Sequence, residues 1–289
     1  MKFVTMRKKS VLKMALAIVF AAVVIAGVSL TGAATVWGGR SPKRIAIYSV
    51  DTSEQIVALT FNVHNTAAIT PSASEDIIPI NKEDCGGTCE ECVQTESNCS
   101  GIVHIISQLE THNIEATIFV SGLWAKQYSS TLNNIARSNR VEIGNLSSTH
   151  PDKFHRLNQH QLEKEIRTAN TTINNLVNVA PKVFRAPNGL YSDRVLNIAN
   201  EEGLACVQGD IHIINDGDLS NEQITLKVLN SVQNGSIIMI DMTDCSKEFE
   251  ALPLIILGLK NKGYSFVRLS DLVMRENYML DRAGRQFRE

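Results

Sequence analysis

The stretch that decides the fold is IVALTFNV, residues Ile56–Val63. Its β-branched and apolar side chains predict a buried strand. A set with helical spacing follows at Ile102, Ile105 and Leu109, and then a second strand is predicted at Ala116–Val120. This change from strand to helix and back is typical of parallel strands with helices packed outside them.

The same alternation continues through the rest of the body. Helices are predicted at 124–135, 162–176, 193–202, 221–234 and 247–262, and strands at Val141–Gly144, Val183–Arg185, Leu204–Gln208, Ser236–Asp241 and Tyr264–Val267. About seven such units can close into a barrel or form an open doubly wound sheet, and spacing alone does not decide between them. No glycine-rich phosphate-binding fingerprint follows the first strand, which counts against a nucleotide-binding fold.

The composition is that of an ordinary packed protein. Hydrophobic residues make up 44% of the 289 residues and charged residues 20%, which is enough for a buried core. The formal net charge is −2. Nucleic-acid-binding proteins usually present a basic surface, so this charge argues against that class.

Residues 1–36 predict a segment that leads the body out of the cytoplasm. Basic residues precede an uncharged run from 14 to 36, and about 20 apolar residues suffice to cross a bilayer. We expect an uncleaved membrane anchor, and the alternative is a signal peptide cleaved near Gly32. Either way, a linker at 37–44 leads into an extracytoplasmic domain at 45–275, and residues 276–289 form a C-terminal tail.

An insertion at residues 64–100 interrupts the alternation and holds most of the cysteines. In an exported protein an even number of cysteines suggests disulfides, although a zinc site at CEEC (residues 89–92) and free thiols are alternatives. The pairing cannot be deduced from the sequence. The candidates are Cys85, Cys89, Cys92, Cys99, Cys206 and Cys245.

The carboxyl ends of the predicted strands, where parallel α/β barrels place their chemistry, hold five polar segments in order. These are LTFNVH at 59–64, EIGNLSSTHP at 142–151, FRAPNG at 184–189, VQGDIHIIND at 207–216 and GSIIMID at 235–241. Together they resemble the polysaccharide deacetylases with a NodB-homology domain, in particular the membrane-anchored sporulation members. The resemblance covers about residues 45–273.

The resemblance implies a distorted (β/α) barrel of about seven parallel strands. It also implies hydrolysis of N-acetyl groups on a sugar polymer. In the family an Asp and two His hold a metal, usually zinc, that activates water. A second Asp takes the proton, an Arg orients that base, and a His on the last motif strand protonates the leaving amine.

Transferred to this chain, most of those positions are substituted. The base position is Asn62, whose amide cannot take up a proton at neutral pH. The metal-ligand positions are Val63, Leu146 and His150, of which only the last has a ligand atom. The proton-donor position is Asp241.

Two further motifs differ in how far they are kept. The Arg-x-Pro-x-Gly motif is complete, so Arg185 is expected beside the base position, and a binding surface is expected at Pro187, Asn188 and Gly189. The segment that supplies aromatic walls and a carboxylate in the family has lost them. Its positions carry Gly209, His212, Asn215 and Asp216.

We therefore expect a catalytically inactive envelope protein that needs no cofactor and binds wall glycan or a partner protein. The resemblance implies that it acts in sporulation. The alternative, from a different class, is an active carbohydrate N-deacetylase with zinc or another divalent metal in a rearranged site. That site would be built from His64, His150, His212 and Asp241. A third hypothesis makes the cysteine-containing insertion a docking or redox element.

Overall fold

Strand β2 (Ile56–Val63) lies in the middle of a parallel sheet, and seven of its eight residues are buried. The computed structural model describes residues 44–64, 90–213, 219–242 and 251–289, with residues 90–100 described in backbone only. On one side β2 pairs with β3 (Ala116–Val120), and on the other with β8 (Ile237–Met242), both in parallel register. The strand predicted first is thus the centre of the core.

The remaining strands extend this sheet on both sides. The order is β6-β5-β4-β3-β2-β8-β7, and β9 pairs with the first two residues of β2. All of these pairings are parallel. The bounds are β4 (Val141–Asn145), β5 (Val183–Phe184), β6 (Ala205–Cys206), β7 (Ile211–Ile213) and β9 (Ser265–Phe266).

The sheet is curled but open, which corrects the expected barrel to a half-barrel of seven parallel strands. Within the described residues, β6 and β7 are its edges and do not pair with each other. Beside β6 the chain around Ile47 takes the place of a closing strand. Ile47 donates its amide to the Cys206 carbonyl, and its own carbonyl accepts from the Gln208 amide.

Helices cover the sheet at the predicted places, with two changes of extent. Their bounds are α1 (Glu90–Thr111), α2 (Gly122–Gln127), α3 (Ser129–Ala136), α4 (Gln159–Val177), α5 (Asp193–Glu201), α6 (Asn221–Ser231), α7 (Ala251–Asn261) and α8 (Leu269–Leu272). Helix α1 starts inside the predicted insertion, because residues 90–100 contain no proline or glycine that would end a helix. The helix predicted over 124–135 is broken at Tyr128, whose φ and ψ of −115° and 43° are not helical.

The segment predicted as a C-terminal tail is instead part of a second, three-stranded sheet. Strand β11 (Arg285–Arg288) pairs with β10 (Tyr278–Leu280) and with β1 (Ser49–Val50). Gln286 is fully buried, and its side chain exchanges hydrogen bonds with the backbone of Met274. A polar side chain thus occupies the buried position of β11, so the strand lacks the alternation of apolar and polar residues that would have predicted it.

The described residues include no helix that is both long and apolar enough to span a membrane. The predicted anchor at 14–36 and residues 37–43 of the linker lie outside the described residues, as do Cys85, Cys89 and Cys245. Cys92 and Cys99 lie in the part of α1 described in backbone only. Cys206 is a buried free thiol within the described part of the chain, and burial raises its pKa to about 12.

Gly144 in β4 is required by close packing rather than by its backbone angles. A Cβ atom at this position would lie 2.6 Å from the ring of Phe119 in β3. That ring is fully buried, so it has no open space to move into. The pair fixes the spacing between two strands whose ends form part of the site described below.

We expect Gly144→Ala to lower the free energy of unfolding by about 1–3 kcal/mol, because the added methyl group overpacks the core. Chemical denaturation measures this. In a Phe119→Leu background, where the ring is absent, the same substitution should cost at least about 1 kcal/mol less. An equal cost in both backgrounds would show that Phe119 is not what excludes the methyl group.

Candidate functional site

The carboxyl ends of β7, β8 and β2 bring three polar side chains together. Asn62 in β2 and Asp241 in β8 are register partners, and His212 lies on the neighbouring strand β7. Since the three strands are parallel and adjacent, their carboxyl ends lie at the same end of the sheet. The sequence-predicted positions Asn62, His212 and Asp241 therefore form one cluster.

These side chains join in a hydrogen-bonded chain with Arg185. The guanidinium Nη1 donates to Asn62 Oδ1 at 2.9 Å, and Asn62 Nδ2 donates to Asp241 Oδ1 at 2.5 Å. The other carboxylate oxygen, Oδ2, lies 2.6 Å from His212 Nε2. The amide of Asn62 thus connects a cation to an anion and uses both of its ends in doing so.

Arg185 is a buried cation, with 1% of its surface exposed. Its Nη2 and Nε donate to the backbone carbonyls of Gln208 and Val207, and its guanidinium carbon lies 4.1 Å from the centre of the Phe119 ring. Burial lowers the pKa of Arg185 to about 9, and the charge of Asp241 acts against that shift. At neutral pH the side chain remains positively charged.

Asp241 is only partly buried, with 27% of its side chain exposed. Burial raises its pKa, but hydrogen bonds from His212 and Asn62, together with the charges of His212 and Arg185, outweigh that effect and hold the pKa below its usual value. The carboxylate is therefore ionised at neutral pH. It is a fixed negative charge at the carboxyl end of β8.

His150 stands on a short loop that helix α4 holds in place. Glu165 of α4 accepts hydrogen bonds from the backbone amides of Ser148 and Thr149 and from the Thr149 hydroxyl. The backbone of His150 is left-handed, with φ of 52°, and its amide donates to Ser147 Oγ. Non-glycine residues in this conformation are uncommon and are kept where the surroundings fix them.

The same loop is tied to α4 at its start by Asn145. The buried Asn145 amide donates to the Ile166 carbonyl and to Asn170 Oδ1, and its oxygen accepts from the Ser147 amide. The sequence placed Asn145 within one of the five motif segments without a role of its own, and it gave no sign of Glu165. A carboxylate two turns into an amphipathic helix has no local pattern that distinguishes it from a surface residue.

His64 lies against His150, directly before the segment that the structure does not describe. The two imidazole rings are stacked, with centroids 3.7 Å apart and planes inclined by 9°. Burial, together with the nearby His64, lowers the pKa of His150 to about 4, while the charge of Asp241 opposes that shift. His150 is therefore neutral at physiological pH.

The residues at the family's metal positions do not fit a metal ion. Val63 and Leu146 are buried in the core, with 0% and 1% exposed, and neither has a ligand atom. A tetrahedral metal site requires nitrogen lone pairs that converge on one point, whereas stacked parallel imidazoles direct their lone pairs side by side. No group of three His, Cys, Asp or Glu side chains within the described ranges is arranged to hold a metal. We therefore derive no step through one.

The Arg-x-Pro-x-Gly segment forms a tight turn beside the cluster. Pro187 is buried, whereas Asn188 and Gly189 are exposed and left-handed, with φ of 54° and 66°. The side chain of Gln208 approaches Gly189, and its Nε2 is buried without a hydrogen-bond partner among the described groups. The segment at 207–216, which carries His212, is described only as far as residue 213. Asn215 and Asp216 lie outside the described residues.

We expect Arg185→Lys to lower the free energy of unfolding by about 2–4 kcal/mol. A lysine cannot donate to Asn62, Val207 and Gln208 together or stack on Phe119 in the same way. The matched control is Arg268→Lys, because Arg268 pairs with Asp271 at the surface and its loss should change stability by no more than about 0.5 kcal/mol. Similar values for the two variants in denaturant unfolding would contradict a special role for Arg185.

Comparisons with known proteins agree on the family. A family profile described as polysaccharide deacetylase matches residues 99–207. A chitooligosaccharide deacetylase of Sinorhizobium fredii is 30% identical over 173 residues, which cover 55% of this chain and 80% of that protein. A peptidoglycan-N-acetylglucosamine deacetylase of Bacillus cereus is 30% identical over 171 residues, or 58% of this chain and 62% of that one.

A solved structure described as a CE4 family pseudoenzyme from Bacillus anthracis has a TM-score of 0.64 and is 22% identical, covering 82% of this chain and 70% of that one. At this identity the match shows a shared fold alone. The chain spans 50% and 62% of the length of two curated relatives that it matches, YlxY of Bacillus subtilis and the Bacillus cereus enzyme.

Proposed function

The chain belongs to the polysaccharide deacetylase family, and from this we propose that it binds cell-wall glycan in the family's cleft without deacetylating it. The observation that carries the proposal is the state of Asn62. Its oxygen accepts from Arg185 and its nitrogen donates to Asp241, so the amide at the base position is held by hydrogen bonds at both ends. An amide in this position has no proton affinity to offer a water molecule.

The metal positions support the same proposal. In the family the metal lowers the pKa of a bound water molecule, and without this the nucleophile is lost rather than weakened. Here Val63 and Leu146 contribute apolar atoms to the core. A missing general base alone costs about 10²–10⁴ in rate, and the two losses act on the same step.

Glycan is proposed as the ligand because the scaffold around the cleft is kept. The loop that positions His150 is clamped by Asn145 and Glu165, and the turn at Pro187–Gly189 is intact. The Bacillus cereus and Sinorhizobium relatives are named for peptidoglycan and chitooligosaccharide, both polymers of amino sugars. The Bacillus anthracis pseudoenzyme is a precedent for this fold without activity.

We further propose that the body acts outside the cytoplasm during sporulation, anchored by residues 14–36. The support is the basic cluster before an uncharged run of membrane-spanning length. Removing residues 1–36 is expected to move the protein from the membrane fraction to the soluble fraction. Cell fractionation with antibody detection measures this, and a protein that stays in the membrane fraction would argue against the anchor.

The experiment for the main proposal measures acetate release and glycan binding on one preparation. With N-acetylated glycan and added zinc, we expect no acetate above a protein-free control, and we expect retention on the same glycan in a sedimentation assay. Turnover that requires zinc and is abolished by His150→Ala would instead support the rearranged metal site. Failure to bind any wall glycan would remove the proposed ligand.

A gain-of-function variant tests the metal argument directly. Val63→Asp with Leu146→His restores the family's donors beside His150, and we expect the purified variant to hold about one zinc ion per chain. The wild type is expected to hold only traces. Metal content after dialysis is the measurement.

The matched control for this variant is Val63→Asn with Leu146→Gln, which introduces comparable polarity into the core but no imidazole or carboxylate. It should lose similar stability and bind no zinc. Equal zinc content in the wild type and in the variant with Val63→Asp and Leu146→His would show that Val63 and Leu146 are not what excludes the metal.

A further inference from the structure

Asp241 places a negative charge at the carboxyl end of the sheet, where the resemblance implies a metal-binding cleft. Its side chain is 27% exposed, so part of the carboxylate faces solvent. Val63 and Leu146 offer no ligand atom for a cation here, whereas position 241 carries a carboxylate.

Two described side chains, Arg185 and His212, lower the pKa of Asp241 through their charges. Arg185 is 1% exposed, and Asn62 lies between its guanidinium and the carboxylate, with hydrogen bonds on either side. His212 is partly exposed and pairs with Oδ2, so a ligand that approaches from solvent meets the carboxylate and His212 but not Arg185. Asn62 is itself only 6% exposed, so its amide adds little to that surface.

The carboxylate also has hydrogen-bonding capacity to spare. Oδ1 accepts from Asn62 and Oδ2 pairs with His212, which uses one position on each oxygen. An ionised carboxylate offers about four acceptor positions in total. Counted over the described residues alone, about two therefore remain for donors from a ligand, and His212, with 36% of its side chain exposed, lies beside them.

We propose that the cleft prefers amino-sugar units that have already lost the acetyl group, with the ammonium of the sugar paired to Asp241. An acetamide is neutral, and it has no metal here to bind its carbonyl oxygen. A protonated amine supplies a positive charge and up to three donors for the acceptor positions of Asp241 that the described residues leave open. This proposal rests on the glycan-binding function proposed above, and makes the protein a reader of the product of deacetylation.

The experiment compares two soluble ligands of equal length by isothermal titration calorimetry at mildly acidic pH. These are the tetramer of N-acetylglucosamine and the fully deacetylated tetramer of glucosamine. We expect the deacetylated tetramer to bind about tenfold tighter or more, as a charge-assisted hydrogen bond gives. The advantage should shrink when salt is raised from about 0.05 M to about 0.5 M, because salt screens partly exposed pairs.

Asp241→Asn is nearly isosteric and should bring the two affinities within about threefold of each other. The matched control is Glu110→Gln, which removes an exposed carboxylate at the end of α1, next to the amino ends of the strands, and should leave the preference unchanged. If Asp241→Asn unfolds, as judged by circular dichroism, the wild-type comparison at the two salt concentrations decides by itself.

The outcomes separate the two proposals. Equal binding of both tetramers, or tighter binding of the acetylated one, would overturn the preference and leave glycan binding intact. Binding of neither tetramer would contradict the proposed function and the preference together. A salt-sensitive preference that survives in Asp241→Asn would assign the charge to another group and overturn the role of Asp241.

Discussion

A guanidinium buried at the end of a β-sheet needs partners for its donors and a negative charge within reach. Arg185 obtains the first from two backbone carbonyls and from Asn62, and the second from Asp241 through that amide. A buried charge that loses its partners costs several kcal/mol. The strand ends around Arg185 are therefore coupled. Asn62 of β2, Phe119 of β3 and the two carbonyls that follow β6 contact the guanidinium directly, and Asp241 of β8 acts through Asn62.

The same coupling shows how an amide side chain is accommodated beside Arg185. Replacing a carboxylate at position 62 by an amide preserves an acceptor for Arg185 and adds a donor, and the donor is taken up by a carboxylate at position 241. His212 on β7 and Asp241 on β8 form an imidazole–carboxylate pair next to this amide, so the chain of hydrogen bonds from Arg185 continues to β7.

The sequence was sufficient for the parts of the fold with strong periodicity. The strands Ile56–Val63 and Ala116–Val120 were predicted with the bounds that the structure has, because long apolar runs bounded by polar turns leave few alternatives. Strands β10 and β11 were missed, since their side chains are largely polar or exposed and Gln286 takes the buried position. The open sheet could not be predicted either, because it depends on the pairing of Ile47 with Val207, which are far apart in sequence.

The site was predictable as a set of positions but not as an arrangement. Asn62, Arg185, His212 and Asp241 were all named from strand ends, and the structure brings them into one chain. The stacking of His64 on His150 was not foreseen, because it depends on loop geometry that no local pattern encodes. Glu165 and Phe119 were missed for a similar reason, since each acts across elements.

The pairing of β1 with β11 joins the first described strand to the last, with Ser49 opposite Arg285. During synthesis on the ribosome, β1 emerges long before β11. Until β11 is made, the backbone groups on that side of β1 are available to other strands, including those of neighbouring nascent chains. The three-stranded sheet is therefore completed only after the strands of the parallel sheet have been made, and a chain that stopped near residue 280 would leave this side of β1 unpaired.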